Sequence, residues 1–439
     1  MKEIVVTGND IEVYSSPKQY KEQLLALISA ARQRIFITAL YVQDDEAGRE
    51  ILHALYQAKS ETPDLDIKIF VDYHRGQRGL IGEKESLGNR SLYLQLAEQY
   101  QQSIEIYGVA VKRKELFGVL HLKGMVFDDT LFYTGASIND IYLHQHERYR
   151  LDRYASIKST ALADNFCDYL NKVFVLSGLS PKLNLKELPS PVEQKRNIIA
   201  LKSLLKNNQY AAVAGGKSST LTDKITITPL IGYGRRDNKL NRSIRQLIQN
   251  AQTSVTIFTP YFNLPPVLAK DVVKALKRGV NISLIVGDKT ANDFYVAEQD
   301  KFSTICIVPY IYEMLLKRFL KKYQKFIDQG LLNVHLWKHD GNSFHLKGLV
   351  VDERYHMLTG SNLNPRAWTL DLENGLLVDD PSKLLMPKVN DEIMGILVQT
   401  NKINNYTDIE SVQDYPEKPQ KLLNKIRMTQ LDKILKRFL

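Results

Sequence analysis

The chain has 439 residues, and 44% of them are hydrophobic, which allows two or three globular domains and excludes a disordered protein. Its two cysteines, Cys167 and Cys306, are too few for a disulfide framework or a cysteine-based zinc site, and they favour a reducing compartment. The net charge of +10 predicts an anionic partner, which is nucleic acid, a phosphorylated metabolite or an acidic lipid surface.

The first half of the chain alternates helices with short apolar strands. Residues 24–41 (LLALISAARQRIFITALY) predict a helix, a short break and a strand, and REILHALYQA followed by DIKIFVDYH predicts a second such unit. The phrase HLKGMVFDD then stands at residues 121–129, and the small-residue turn TGASIND at 134–140. This alternation predicts an α/β fold in which helices pack on mixed or parallel sheets.

The second half repeats these elements in the same order. Residues 244–261 (IRQLIQNAQTSVTIFTPY) match the first helix and strand, and AKDVVKALKRG with NISLIVGD matches the second unit. The phrase HLKGLVVDE returns at residues 345–353, and the turn TGSNLNPRAW follows at 359–368. The chain is therefore interpreted as a duplication of one α/β unit.

The duplication predicts the domain organisation. We expect two similar lobes at residues 1–180 and 223–400. Residues 181–222 are richer in Pro, Gly and Ser and are expected to connect the lobes, and residues 401–439 are expected to form a basic tail.

Each repeated phrase places a histidine and a lysine on one face of a strand, because side chains two positions apart in an extended chain point the same way. If both phrases face the lobe interface, the site there holds two imidazoles and two ammonium groups. Such a set suits phosphoryl transfer, in which the lysines neutralise phosphate oxygens, one imidazole attacks phosphorus and the other protonates the leaving oxygen. Neither half supplies all of these groups alone.

The H-x-K-x4-D pattern and the polar turn downstream of each copy resemble the phospholipase D superfamily. The residues that carry the pattern are His121, Lys123, Asp128, His345, Lys347 and Asp352. The resemblance implies two pseudo-symmetric lobes, each a mixed or parallel sheet flanked by helices, with the active site at the lobe interface. It also implies that no metal or other cofactor takes part, because the lysines supply the positive charge.

The resemblance further implies a role for each residue. His121 is expected to attack phosphorus and His345 to act as general acid and then base, with the reverse assignment left open. The groups expected to bind substrate beside Lys123 and Lys347 are Ser137, Asn139, Asn362 and Asn364.

Five carboxylates receive predictions as well. Glu373 is similar to the acidic residue that follows the second motif in this superfamily and is expected in the catalytic set. A carboxylate must also hold the ring of His121, and here both Glu147 and Asp152 fit. The motif aspartates belong to the catalytic set by resemblance, but they are expected to anchor loops away from phosphorus.

Within the superfamily, the long flanks GASINDIYLHQHERYRLDRY and GSNLNPRAWTLDLENGLLVDD resemble those of the bacterial phosphatidylserine synthases. This likeness implies that CDP-diacylglycerol and L-serine yield phosphatidylserine and CMP through a covalent phosphatidyl-histidine. The alternatives are another enzyme of the superfamily, such as a phospholipase, a different phosphatidyltransferase or a nuclease, and a non-catalytic anion-binding protein. No specific nucleic acid partner is expected.

A lipid substrate requires contact with a membrane, yet no apolar run approaches the roughly 18 residues that a spanning helix needs. The sequence also begins without the apolar core of a secretory signal, so we expect a cytoplasmic enzyme at the inner face of the cell membrane. Residues 314–326 and 421–439 are basic and amphipathic and are expected to dock on an anionic membrane surface. Alternatively, either stretch packs its apolar face on its own domain.

Overall fold

The computed structural model describes residues 3–79, 86–211, 224–296 and 302–428. Two predicted segments lie partly outside the described residues. They are the connecting segment, at 212–222, and the C-terminal docking stretch, with its apolar residues Leu431, Ile434, Leu435 and Phe438.

The first half of the chain alternates strands with helices, as its sequence pattern predicts. Its elements are β1 (Ile4–Val6), β2 (Ile11–Tyr14), α1 (Pro17–Ala30), β3 (Arg34–Thr38), α2 (Glu46–Glu61), β4 (Asp66–Asp72), α3 (Asn89–Gln99), β5 (Glu105–Val109), β6 (Gly124–Phe127), β7 (Thr130–Thr134), β8 (Arg150–Leu151), β9 (Tyr154–Lys158) and α4 (Thr160–Leu170). Capping side chains begin several of these helices; the Ser16 hydroxyl, for example, accepts a hydrogen bond from the backbone of Gln19 in α1.

The second half follows helix α5 (Pro191–Asn207), which occupies part of the predicted connecting segment. Its elements are β10 (Ile225–Tyr233), α6 (Lys239–Asn250), β11 (Ser254–Thr259), α7 (Pro266–Lys277), β12 (Asn281–Gly287), α8 (Val308–Asp328), β13 (Leu332–Trp337), β14 (Ser343–Phe344), β15 (Gly348–Val351), β16 (Tyr355–Thr359), α9 (Pro365–Thr369), β17 (Leu372–Asp379), α10 (Met386–Leu397), β18 (Thr400–Ile403) and α11 (Glu417–Met428).

The strands of the described residues form two large mixed sheets with the same internal order. One sheet runs β2-β9-β7-β6-β3-β4-β5, and the other contains the equivalent run β10-β17-β16-β15-β11-β12-β13. In each of these seven-strand runs the last three strands pair in parallel, and the remaining neighbours are antiparallel. The predicted α/β fold with two pseudo-symmetric lobes is therefore confirmed.

The predicted division of the chain into residue ranges stays a prediction, and sheet membership differs from it at two places. Strand β1, at the start of the range assigned to the first lobe, pairs with β10 in the sheet of the second. Strand β18 begins at Thr400 and pairs with β13, so this sheet continues into the range assigned to the tail.

The two lobes share one apolar core. A single cluster of buried side chains includes Leu122 and Tyr133 from the first half together with Leu346 and Leu376 from the second. A buried ion pair between Arg153 and Glu392, with N–O distances of 2.8 and 2.6 Å, also joins the halves. The lobes are therefore held in one fixed relation, which is what a site at their interface requires.

The apolar side of α8 faces the protein and not a membrane. Leu316, Leu320 and Met314 are buried, while Leu315 and Phe319 are partly buried against the same lobe. The alternative, that this stretch packs its apolar face on its own domain, therefore holds for α8, because the second lobe uses these side chains as core; docking on a membrane through the charged side stays a prediction. In α11, Leu423 and Ile426 are likewise buried, and Leu422 packs beside them.

The two motif aspartates tie equivalent turns to equivalent helix–strand connections. The carboxylate of Asp128 accepts hydrogen bonds from the backbone N–H groups of Arg32, Gln33 and Arg34 at distances of 2.8–3.0 Å. Asp352 does the same for residues 252–254. Both aspartates have left-handed backbone, with φ of 52° and 54°, in which Asp and Asn are tolerated better than most residues.

We predict that Asp352→Ala lowers the free energy of unfolding by about 1–3 kcal/mol, because three backbone donors lose a charged acceptor. Asp352→Asn should lose less, since asparagine keeps one oxygen and tolerates the same backbone. Burial opposes ionisation, but the N–H groups of Thr253 and Ser254 hold the pKa of Asp352 below its ordinary value. The stabilisation is therefore present above the unfolded-state pKa of about 3.9 and is lost as the pH falls through the lower folded-state pKa.

Urea unfolding of these variants at neutral pH and near pH 3 measures the effect. The control is Glu353→Ala, which removes a carboxylate of the same turn that forms a surface ion pair with Lys383, where both side chains are about half exposed. Such pairs contribute little, so this change should stay within about 0.5 kcal/mol. Equal effects of the Asp352 and Glu353 changes would contradict an anchoring role for Asp352.

Candidate active site

Two short backbone pairings cross between the lobes and carry the histidines to the interface. Strands β8 and β14 pair in parallel, and the backbone N–H of His345 donates to the carbonyl of Leu151 at 2.8 Å. In the other copy, Leu120 and Leu372 form a parallel bridge, and the N–H of His121 donates to the carbonyl of Leu372 at 2.9 Å. Each histidine is thereby held against a segment of the opposite lobe.

This crossing decides which carboxylate meets which imidazole. Nδ1 of His121 lies 2.9 Å from both carboxylate oxygens of Glu373, and Nδ1 of His345 lies 3.0 Å from Asp152. The prediction that Glu147 or Asp152 holds His121 is therefore wrong. Each crossing segment ends in a carboxylate that meets the histidine of the opposite lobe, so Asp152 of the first lobe holds His345 of the second. Glu147 lies exposed in a turn.

Contact at Nδ1 orients each ring so that Nε2 is the nitrogen left for chemistry. Burial and the neighbouring Lys347 lower the pKa of His345 to about 3. Burial also lowers the pKa of His121 well below its ordinary value and raises the pKa of Glu373 to about 8. Both imidazoles are therefore neutral near pH 7, the form in which a ring nitrogen can attack phosphorus or accept a proton.

The two motif lysines are buried and differ in their partners. Lys347 donates to Asp152 at 2.8 Å and also contacts Nδ1 of His345. Lys123 Nζ has longer contacts, among them 3.4 Å to the hydroxyl of Ser137. Burial and the charge of Lys347 lower the pKa of Lys123 to about 7. A negatively charged phosphate between the two lysines would favour the charged form of Lys123, so this part of the site is prepared for an anion.

The two predicted asparagines at the ends of the polar turns are fixed by local backbone. The side-chain oxygen of Asn139 accepts from the N–H of Tyr142 at 3.0 Å, and that of Asn364 accepts from Ala367 at the start of α9 at 2.9 Å. The amide nitrogen of Asn139 lies 3.4 Å from the hydroxyl of Tyr41. Because the oxygens are used by the backbone, the amide N–H groups are the ones that can donate to a phosphate.

Three predicted residues lie outside this cluster of contacts. Asp128 and Asp352 bind backbone N–H groups at the strand ends, so they support the motif without reaching the imidazoles. The backbone carbonyl of Asn362 accepts from the hydroxyl of Thr259, and its buried side-chain oxygen has no hydrogen-bond partner in the part of the chain that the structure describes.

Two further residues belong to the site but were missed by the motif pattern. Asn374 exchanges two hydrogen bonds of 2.8 Å with the backbone of Lys123, which fixes that strand across the interface. The hydroxyl of Tyr142 lies 2.9 Å from Nδ1 of His345. The only sequence signal was their position inside the long flanks that follow the motifs, since Asn374 comes directly after Glu373.

Comparisons with known proteins agree with this geometry. The family model described as "Cardiolipin synthase, PLD-like domain" matches residues 24–172 and again residues 244–396. The chain is also 25% identical to CDP-diacylglycerol–glycerol-3-phosphate 3-phosphatidyltransferase of Schizosaccharomyces pombe, with 96% of this chain and 95% of the relative covered.

More similar relatives share one activity. The chain is 41% identical to CDP-diacylglycerol–serine O-phosphatidyltransferase of Haemophilus influenzae, covering 99% of this chain and 96% of the relative, and 39% identical to the Escherichia coli enzyme, covering 98% and 95%. The crystal structure of phosphatidylserine synthase from Haemophilus influenzae superposes with a TM-score of 0.95 at 40% identity, covering 100% of this chain and 97% of the other. The chain belongs to the phospholipase D-like family of CDP-diacylglycerol–serine O-phosphatidyltransferases.

Proposed function

We propose that the chain transfers the phosphatidyl group of CDP-diacylglycerol to L-serine and so makes phosphatidylserine and CMP. The observation that carries this proposal is the pair of buried imidazoles, each held by a carboxylate of the opposite lobe, with two buried lysines beside them. The substrates are those of the CDP-diacylglycerol–serine O-phosphatidyltransferases that match the chain over nearly its whole length.

In the first step, Nε2 of His121 attacks the phosphorus that carries diacylglycerol. A P–N bond forms, and the bond to the bridging oxygen of CMP breaks. CMP leaves as a phosphate whose second pKa is near 6, so it needs little protonation. The low pKa of His345 leaves its Nε2 without a proton near pH 7, so the general-acid role expected from the sequence is not part of this step.

In the second step, the hydroxyl of serine attacks the phosphatidyl-histidine. His345 accepts the hydroxyl proton at Nε2, a P–O bond forms to serine and the P–N bond to His121 breaks. A neutral imidazole is the form that this step needs, and burial provides it. Lys123 and Lys347 neutralise the phosphate oxygens, and the side chains of Ser137, Asn139 and Asn364 donate hydrogen bonds to them.

The acceptor can be tested directly with purified protein and CDP-diacylglycerol in detergent. Addition of L-serine should raise the rate of CMP release and should convert the lipid to phosphatidylserine, as measured by chromatography of both products. If serine changes neither the rate nor the lipid product, another acceptor is used and the serine assignment fails.

The roles of the histidines predict different trapping behaviour. With lipid-labelled CDP-diacylglycerol and no serine, His345→Ala should retain label on the protein, whereas His121→Ala should retain none, because it lacks the attacking nitrogen. Overall turnover of His345→Ala should fall about 10²–10⁴-fold, the usual effect of losing a general base. His146→Ala, which removes an exposed histidine outside the site, is the control and should behave like the unaltered protein. Label on His121→Ala but not on His345→Ala would reverse the two roles.

We also propose that the protein works on an anionic membrane surface and binds it through charge. No helix in the described ranges is long and apolar enough to cross a membrane. Between α7 and α8 lies a groove of about 510 Å³ with apolar walls that include Val273 and Phe319. Its rim carries exposed cations, which are Lys270, Lys274, Lys277, Arg318 and Lys322. Lipid phosphates fit such a rim, and the inner face of the cell membrane is the expected location.

A variant with four of these cations changed to Gln should bind anionic vesicles more weakly. The changed residues are Lys270, Lys274, Arg318 and Lys322. Each cation near such a surface contributes about 1 kcal/mol, so the loss should be large and binding by the unaltered protein should be released by salt. Activity on bilayers should fall, while activity on a dispersed short-chain substrate should persist, because these residues lie outside the site.

A matched control removes four other exposed positive charges. The control substitutions to Gln are at Arg49, Lys158, Lys186 and Arg242. Vesicle sedimentation should separate the two variants clearly. If both variants bind vesicles equally weakly, net charge alone governs binding. If the α7–α8 variant loses activity equally on bilayer and dispersed substrate, these residues are needed for folding or for the active site and not for membrane binding.

A further inference from the structure

The two crossing segments differ at the position two residues before the orienting carboxylate. In the segment that meets His345 this position is Arg150, and in the segment that meets His121 it is Asp371. Pseudo-equivalent places in the two halves of the site therefore carry opposite charges. A ligand with a carboxylate group is favoured on one side and disfavoured on the other.

Arg150 is separated from His345 by a single aromatic ring. Its guanidinium lies 4.6 Å from the ring centre of Tyr142, whose hydroxyl is 2.9 Å from Nδ1 of His345. One terminal nitrogen of the guanidinium, Nη2, lies 2.7 Å from the carboxylate oxygen Oδ1 of Asp293. The Nε atom of Arg150 is buried and has no hydrogen-bond partner among the described residues. A buried donor of this kind normally has a partner, and a ligand carboxylate would provide one.

Asp293 completes a small subsite with aromatic walls. It accepts a hydrogen bond of 2.9 Å from the hydroxyl of Tyr261, whose ring stacks on Tyr312 and meets the ring of His345 edge-on. The side chains of Arg150 and Asp293 are 12% and 17% exposed, so the pair is largely desolvated and still reachable. A cation and an anion at one such place suit a small zwitterion.

The opposite half of the site offers no such subsite. The carboxylate of Asp371 accepts from the backbone N–H of Val119 at 3.0 Å and from Arg366 at 3.2 Å. Arg366 also donates to the backbone carbonyl of Glu115 at 2.9 Å. These contacts hold the backbone beside His121 and occupy both carboxylate oxygens of Asp371 and the Nε atom of Arg366, whereas the Nε atom of Arg150 has no such partner among the described residues.

We propose that Arg150 binds the carboxylate of the amino-acid acceptor and that Asp293 binds its ammonium group. The inference rests on the proposed function, in which the acceptor hydroxyl attacks phosphorus and gives its proton to His345. The acceptor must then lie on the His345 side of phosphorus, opposite the P–N bond to His121 that breaks. A zwitterion inserted at this pair replaces one ion contact with two, so neither buried charge loses its partner.

The subsite also explains how an acceptor is chosen over water. Both attack the same phosphatidyl-histidine, but only an acceptor with charged groups of both signs satisfies Arg150 and Asp293 together. An analogue that lacks one of these groups leaves a buried charge without a partner, which is the arrangement that gives strong discrimination.

The experiment measures how the intermediate divides between two products. Purified protein receives CDP-diacylglycerol and an acceptor at fixed concentration, and the ratio of transfer product to phosphatidate, the product of water attack, is determined. Both products come from one intermediate, so the ratio does not depend on the fraction of folded protein or on the first step. The acceptors are L-serine, ethanolamine, which lacks the carboxylate, and 3-hydroxypropionate, which lacks the ammonium group.

The unaltered protein should prefer serine to both analogues. Arg150→Gln should lower the ratio for serine roughly 10- to 100-fold and should remove the preference for serine over ethanolamine. Asp293→Asn should instead remove the preference for serine over 3-hydroxypropionate. Arg150→Lys keeps the charge but loses the forked donor, so its product ratio for serine should lie between those of the unaltered protein and Arg150→Gln. The control, Arg148→Gln, removes an exposed arginine of the same segment and should leave the ratio unchanged.

Two failures can be told apart. If the unaltered protein makes phosphatidylserine but neither Arg150→Gln nor Asp293→Asn changes the ratio or the acceptor preference, the pair is structural and this inference is overturned. If the unaltered protein releases CMP without forming phosphatidylserine, the proposed function itself is overturned, and the inference falls with it.

Discussion

The structure depends on one constraint, which is that the imidazole of each repeated motif is held by a carboxylate of the other lobe. Parallel backbone contacts place the segment ending in Asp152 against His345 and the segment ending in Glu373 against His121. A lobe on its own would have a histidine without its carboxylate and a carboxylate without its histidine. The shared apolar core and the buried pair of Arg153 with Glu392 maintain the relation between the lobes that these contacts need.

Duplication supplied two equal sets of groups, and their surroundings made them different. On one side, burial opposes ionisation of Asp152, but the charge of Lys347 and the hydrogen bond with His345 hold the pKa of that carboxylate below its usual range. On the other side, burial prevails and raises the pKa of Glu373 to about 8. Two histidines with identical motifs thus meet different electrostatic environments, and the proposal that they have different roles rests on this difference.

Helix α8 has one side buried in the core of the second lobe and another side exposed at the surface. Its apolar side fills the second lobe, and its charged side forms part of a cationic groove with α7. The proposed contact with a membrane therefore depends mainly on charge, because the apolar face of α8 is buried in the second lobe. Contact of this kind is screened by salt, in contrast to the insertion of apolar side chains.

The sequence by itself determined the duplication, the alternation of helices and strands, and the pairing of His with Lys on one strand face, because each follows from spacing along a few neighbouring residues. Only the tertiary structure decided that Glu373 meets His121 and that Asp152 meets His345, since contacts between segments about two hundred residues apart leave no local pattern. It also decided where the apolar side of α8 lies. An amphipathic period records that one face avoids water but does not record whether protein or lipid covers it, and here the answer depends on how the second lobe packs.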